Sequence, residues 1–204
     1  EVTLAAIPNA EFEFRRWMLN GEPVSEDEVY TFDIQADMSL VAEFVPASLV
    51  ELQYNLAEGW NWWSTCIDLT NNGLENVENA LGSNGVNIKS QRNGFVMNDD
   101  GDWYGNLEEL DNQSMYMVLT NEPSTINLTG LRVNASQLKI ELSANWNWIG
   151  YPLSTTQSVT SALSQLAADD GDMIKSMQNF SVYDGEDGWF GALHKIGRAS
   201  CRER

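Results

Sequence analysis

Tryptophan and aspartate are the residue types whose spacing could do chemistry here. Of eight tryptophans, all but Trp17 lie beyond residue 59. Trp60 and Trp62 stand two apart, as do Trp146 and Trp148, and that spacing puts each pair on one face of a strand. Such a pair could be a platform on which a sugar ring stacks, or the large rings of a small β-core. Recurrence of the pair favours the core, because each copy must bury its own face. Trp63 lies on the opposite face of its strand. Exposed, it would be the better ligand contact, although Ile149 in the equivalent place suggests burial. Trp103 and Trp189 follow acidic turns and are further candidates for ligand contact.

Those turns are the second feature. Asn98, Asp100 and Asp102 alternate, and Glu109 falls at the twelfth position counted from Asn98. Alternating oxygen ligands with a distal carboxylate could hold calcium. Trp103 stands where the loop of an EF-hand needs Gly, and no helical pattern flanks the segment. Asp184 and Glu186 keep part of the alternation in the second copy. The bland alternative is a hairpin turn, for which Asp, Asn and Gly are the usual residues. No pair of carboxylates is singled out for glycoside hydrolysis. His194 is the one imidazole, which leaves a Ser-His-Asp triad without support. The expectation is a protein that is not an enzyme and needs no cofactor, with calcium as the one candidate metal.

Charge narrows the partners. The chain has 11 Lys and Arg against 30 Asp and Glu, a formal net charge of −19. A nucleic-acid binder needs a basic face, and docking on anionic lipid needs one too. No apolar run approaches the roughly 20 residues of a membrane span. Four of the basic residues crowd into the last ten, KIGRASCRER from Lys195 to Arg204. That string reads like a translated sequencing adapter, so residues 195–204 are expected to be a non-native tail. Glu1 opens directly into a strand-like run, which suggests an internal fragment. Cys66 is expected to be buried, since its counterpart in the second copy is Pro152.

The elements that must position these residues fall into three blocks. In residues 1–47, short alternating runs read as strands, and Asn20-Gly21 reads as a hairpin turn. Pro46-Ala47-Ser48 reads as a linker. Beyond it the chain repeats itself. Gly59-Trp60-Asn61-Trp62 returns as Asn145-Trp146-Asn147-Trp148. Gly85 to Ser90 returns as Gly171 to Ser176, and Trp103 to Leu107 as Trp189 to Leu193, always 86 residues on. Repeat one is residues 48–136, and repeat two is residues 137–194. Each should have an entering strand (Leu52, Tyr54, Leu56; then Leu138, Ile140, Leu142), the WNW strand, one amphipathic helix and a run of short strands. The helices are expected at Leu74, Val77 and Leu81, and at Val159, Ala162, Leu163 and Leu166. Repeat two ends before any counterpart of Glu109 to Ser136, so it should be the less stable copy.

The first block resembles the divergent internalin B-repeat family. The matching segments are VTLAAIPN at Val2 to Asn9, F-x-F-x-x-W at Phe12 to Trp17, NGE at Asn20 to Glu22, YTF at Tyr30 to Phe32 and LVAEF at Leu40 to Phe44. It departs at Arg16, where the family usually has Gly. The GWNW-type repeat resembles a module of Bacteroidetes surface and secreted proteins over Leu52 to Leu193, departing at Asn145 and Gly150. The resemblance implies a mainly β architecture: a β-grasp-like partial repeat, then two tandem β-rich units each with one short helix. It also implies an extracellular or cell-surface bacterial location and a non-catalytic stalk or interaction role such as adhesion. The partner would be a host or microbial surface protein or glycan. The alternative is a carbohydrate-binding module appended to a polysaccharide-degrading enzyme.

Overall fold

Alternation of apolar and polar residues runs through most of the chain. In the computed structural model it folds mainly into short antiparallel strands, with two short helices. Residues 1–9, 12–34, 37–69, 73–135 and 138–197 are described, together with the backbone of residues 201–203. Two units are distinct, Glu1–Leu49 and Val50–Arg204.

The first unit holds β1 (Val2–Ala5), β2 (Phe12–Leu19), β3 (Glu22–Ser25), β4 (Val29–Phe32) and β5 (Leu40–Pro46). β1 pairs with β4, and β2 lies between β3 and β5 in a second sheet. The β2–β3 hairpin turns at Asn20-Gly21, as the dipeptide predicts. Among the described residues of this unit, Trp17 is the one large buried ring, and its Nε1 donates to the Asp27 carbonyl at 3.1 Å. Arg16 sits beside a bulge in the β2–β5 ladder, and its Nε donates to Glu43 at 2.5 Å. That hydrogen bond, with the charge of Arg15 and Arg16, holds the Glu43 carboxyl below its ordinary range.

Repeat one contains β6 (Val50–Leu56), β7 (Gly59–Trp63), α1 (Gly73–Leu81), β8 (Gly85–Lys89), β9 (Phe95–Asp99), β10 (Asp102–Gly105), β11 (Tyr116–Thr120) and β12 (Ser124–Gly130). One sheet runs β10-β9-β8-β11-β7, and β6 pairs with β12 in another. Leu52, Tyr54 and Leu56 of β6 alternate with polar residues and are buried. They share one core with Ile126 and Leu128 of β12, Val77 and Leu81 of α1, and Trp63, Ile88, Val96, Tyr116 and Val118 of the larger sheet. Cys66 is buried as expected, at 1% exposure. Asn112 is buried because its amide is saturated. It donates to the carbonyls of Thr65 and Ile67 at 2.9 and 2.7 Å and accepts from Leu69 N–H.

Repeat two contains β13 (Gln157–Ser158), α2 (Val159–Ala162), β14 (Met173–Lys175), β15 (Phe180–Asp184) and β16 (Gly188–Gly191), followed by β17 (Lys195–Ile196) and β18 (Cys201–Glu203). Its β14-β15-β16 meander copies β8-β9-β10 rung for rung. Asn87 faces Met97 as Met173 faces Val182, and Lys89 faces Phe95 as Lys175 faces Phe180. The loop after Ser176 is one residue shorter than the loop after Ser90, and the next turn is one residue longer. The two changes cancel, which is why the flanking motifs keep one offset.

Three expectations for repeat two fail. Trp146-Asn147-Trp148 is not in a strand, and Ile149 beside it makes an isolated bridge to Ser114. Leu138, Ile140 and Leu142 form no strand. In repeat one the entering strand pairs with β12, and none of the strands formed by the described residues 138–197 pairs with Leu138, Ile140 or Leu142. The helix stops at Ala162 after four residues, leaving Leu166 exposed, whereas α1 runs for nine residues and packs on β12. Residues of the expected tail also enter the fold. β17 pairs with β13, and β18 adds a backbone ladder to the free edge of β6.

Candidate functional site

The larger sheet of repeat one has an inner face on the core and an outer face that is aromatic. Register lines up Tyr104, Met97, Asn87, Leu119 and Trp60 as one row across its five strands. A second row runs Phe95, Lys89, Met117 and Trp62. Trp60 is 37% exposed, and Phe95, Met97 and Tyr104 are exposed beside it. Repeat two presents the same positions: Phe190, Val182 and Met173 in one row, Phe180 and Lys175 in the other. Phe180 and Phe190 are again exposed, and Trp146 is 50% exposed.

A lysine stands over three of the four WNW indoles. Lys89 Nζ lies 4.4 Å from the ring centre of Trp60. Its counterpart Lys175 lies 4.8 Å from Trp146 and 5.6 Å from Trp62. An ammonium above an indole face is drawn to the ring quadrupole, worth about 0.5–1 kcal/mol where solvent has access. Lys175 therefore joins the two copies into one continuous surface.

The backbone under the indoles is held by a device that both copies share. Asn61 Oδ1 accepts from Ala57 N–H at 2.9 Å, and its Nδ2 donates to the carbonyls of Ala57 and Gly59. Asn147 makes the same three bonds to Ser143 and Asn145, at 3.0, 2.7 and 3.0 Å. The chain enters each clamp through a left-handed residue, Gly59 at φ 89° and Asn145 at φ 72°. Asn tolerates that region better than other side chains, which accounts for Asn145 in place of Gly. Gly150 has another reason. A Cβ there would come 2.6 Å from the Asn112 carbonyl, where repeat two docks on repeat one.

That docking is reciprocal. Gln91 of repeat one reads the edge of the second WNW segment, donating to Trp146 O at 2.6 Å and accepting from Trp148 N–H at 2.7 Å. Its counterpart Met177 accepts from Trp62 N–H of repeat one, with Sδ at 3.4 Å. Residue i meets j while the counterpart of i meets the counterpart of j, the signature of a two-fold relation. Segment 113–115 adds to the joint: Met115 N–H donates to Trp148 O at 3.1 Å, and Gly150 N–H to Gln113 O at 2.7 Å. Tyr116 anchors that segment. Its hydroxyl accepts from Asp111 N–H at 2.8 Å, and burial pushes its pKa up to about 12.

The candidates singled out from sequence lie elsewhere. Trp63 is 3% exposed, T-shaped against Tyr54 at 5.6 Å, with its Nε1 buried and unpartnered. Trp103 packs half-buried on the core of repeat one, and Trp189 lies half-buried on Tyr183 at 5.4 Å. All three point inward, and the WNW pairs assigned to the core point out. Alternation separates two faces correctly but carries no mark of which one β6, β12 and α1 will cover. A sequence signal did exist: Lys89 with Lys175, and Tyr104 with Phe190, recur in register beside core positions.

The calcium set does not assemble. Asp100-Gly101 forms a two-residue type I′ turn, with φ of 53° and 103° and Asp99 opposite Asp102. Asn98 spends its amide on that turn, accepting from Gly101 N–H and donating to Gly82 O, each at 2.7 Å. Among the described residues, Asp100, Asp102 and Glu109 form no metal-ligating group. Among the described residues, no helix is long and apolar enough to cross a membrane. No family model, curated protein or solved structure matches the chain.

Proposed function

We propose that this chain is a non-catalytic interaction module of a secreted or cell-surface bacterial protein, and that its outer aromatic face is the contact surface. The observation that carries this reading is duplication of a feature the core does not need. Trp60 with Lys89, and Trp146 with Lys175, recur in both copies on the solvent side of the fold. Exposed aromatic and apolar side chains gathered on one face are the usual mark of a binding surface. The bacterial and extracellular parts of the proposal rest on the resemblance of residues 1–47 to internalin-type repeats.

Exposed indoles also favour the second reading, a carbohydrate-binding module attached to a polysaccharide-degrading enzyme. Intrinsic tryptophan fluorescence, titrated with a panel of plant, host and microbial polysaccharides and surface proteins, tests the proposal. A saturable shift that disappears in Trp60→Ala/Trp146→Ala supports it. A shift that survives in the double variant moves the contact surface away from this face and overturns it.

A further inference from the structure

We infer that the ligand of this face is an acidic polysaccharide, a polymer of uronic-acid residues. The inference rests on the outer face being the contact surface and adds the chemistry of what it contacts.

The argument begins with the placement of the few cations. Residues 50–194 contain five basic side chains, Lys89, Arg92, Arg132, Lys139 and Lys175. Three of them gather at the WNW segments. Lys89 and Lys175 stand over indoles, and Arg92 donates to Ser143 Oγ at 3.1 Å, beside the Asn147 clamp. Among the described residues none of these three makes a salt bridge, although the chain has 30 carboxylates. Elsewhere cations and carboxylates do pair, as Lys139 does with Glu141 at 3.3 Å. Cations left without carboxylates in so acidic a chain are placed to receive one from outside.

The flanking rings specify the rest of the ligand. A pyranose ring presents a flat apolar face, which packs beside the lysine on the exposed rings of this surface, such as Tyr104, Phe95, Phe180 and Phe190, while its carboxylate reaches the ammonium. The ammonium–indole pair occurs at equivalent positions in the two copies, and Lys175 spans from Trp146 to Trp62. Two equal subsites on one surface suit a ligand whose own chemistry repeats, and simultaneous engagement multiplies affinity. Negative charge over the remaining surface repels a polyanion, which confines it to this face.

Polygalacturonate and its fully methyl-esterified form separate the two ideas, because they share a backbone and differ in charge. The chain of residues 1–204 is titrated with each, and with polyglutamate, by tryptophan fluorescence and calorimetry. The expected result is binding of polygalacturonate about tenfold or more tighter than of the ester or of polyglutamate. It should weaken with added salt. Lys89→Gln/Lys175→Gln should lose that preference and Lys89→Arg/Lys175→Arg should keep it, with thermal melts showing that both fold. Equal binding of acid and ester, abolished in Trp60→Ala/Trp146→Ala, overturns the acidic ligand and leaves the contact surface standing. Equal binding of polyglutamate, or binding indifferent to the lysines, overturns the inference as well. No binding of either galacturonan overturns it, and the surface reading then depends on the protein partners of the panel.

Discussion

Ile88 of repeat one has no exposed surface, whereas Ile174 at the same place in repeat two is half-buried. The strands around them are the same meander with the same pairing. The difference lies above the meander. Repeat one lays β6, β12 and α1 over its inner face and closes a core from Leu52 to Leu128. Repeat two has a four-residue helix, an unpaired entering segment, and Leu142 and Leu166 in solvent. Local hydrogen bonding thus survives without a core behind it. Ser90 and Ser176 close their loops alike, with backbone bonds to Gly94 O at 3.0 Å and Asn179 O at 2.7 Å. Turns and clamps are set by a few neighbouring residues, but burial needs partners that are distant in sequence.

That contrast can be tested from its largest consequence down. Trp63→Ala should destabilise repeat one by about 3–5 kcal/mol in urea unfolding, because it empties the centre of the core. Its counterpart Ile149 is half-buried, so Ile149→Ala should cost only about 1 kcal/mol. Equal losses would erase the distinction between the copies. Limited proteolysis should cut within residues 137–194 before it cuts within 50–133, and the opposite order would reverse the ranking.

Alkaline unfolding sharpens the comparison further. The Tyr116 hydroxyl is raised by burial to about 12, against about 10 for tyrosine in the unfolded chain. The folded state holds this proton more tightly, so its stability is intact below about pH 10 and declines from there towards pH 12. The decline should reach about 2 kcal/mol, and Tyr116→Phe should remove most of it. Burial also raises Tyr151 in repeat two, but that ring is half-buried where Tyr116 is sealed, so Tyr151→Phe should leave most of the slope. An unchanged slope in Tyr116→Phe would show that repeat one is not sealed around this ring. The smallest effect tests likeness: Asn61→Ala and Asn147→Ala should each cost about 1 kcal/mol, because each breaks the same three bonds. Unequal losses would show that the clamp depends on the core after all.

Much of the architecture was legible in the residues. Alternation gave the strands of repeat one, Asn20-Gly21 gave the β2–β3 hairpin of the first unit, and Val77 with Leu81 gave the buried side of α1. The recurrence at one offset gave two copies of one meander, and the structure added the cancelling pair of loop changes that the flanking motifs conceal. The candidate site was half legible. Two-residue spacing placed Trp60 and Trp62 on one face and Trp63 on the other, yet the assignment of inside and outside was reversed. The acidic turn was legible as a turn, and its calcium reading did not assemble.

The division has a physical cause. Period, turn chemistry and left-handed positions are properties of a few adjacent residues, and the sequence alone determined them. Which face of a strand is dry depends on what packs there, and β6 and β12 reach the inner face of the larger sheet from far along the chain. Only the tertiary structure decided that Trp63 is core and that Trp60 and Trp146 stand in solvent under their lysines. It also decided that Gln91 and Met177 reach across to each other's WNW segments, a two-fold relation that no linear pattern records.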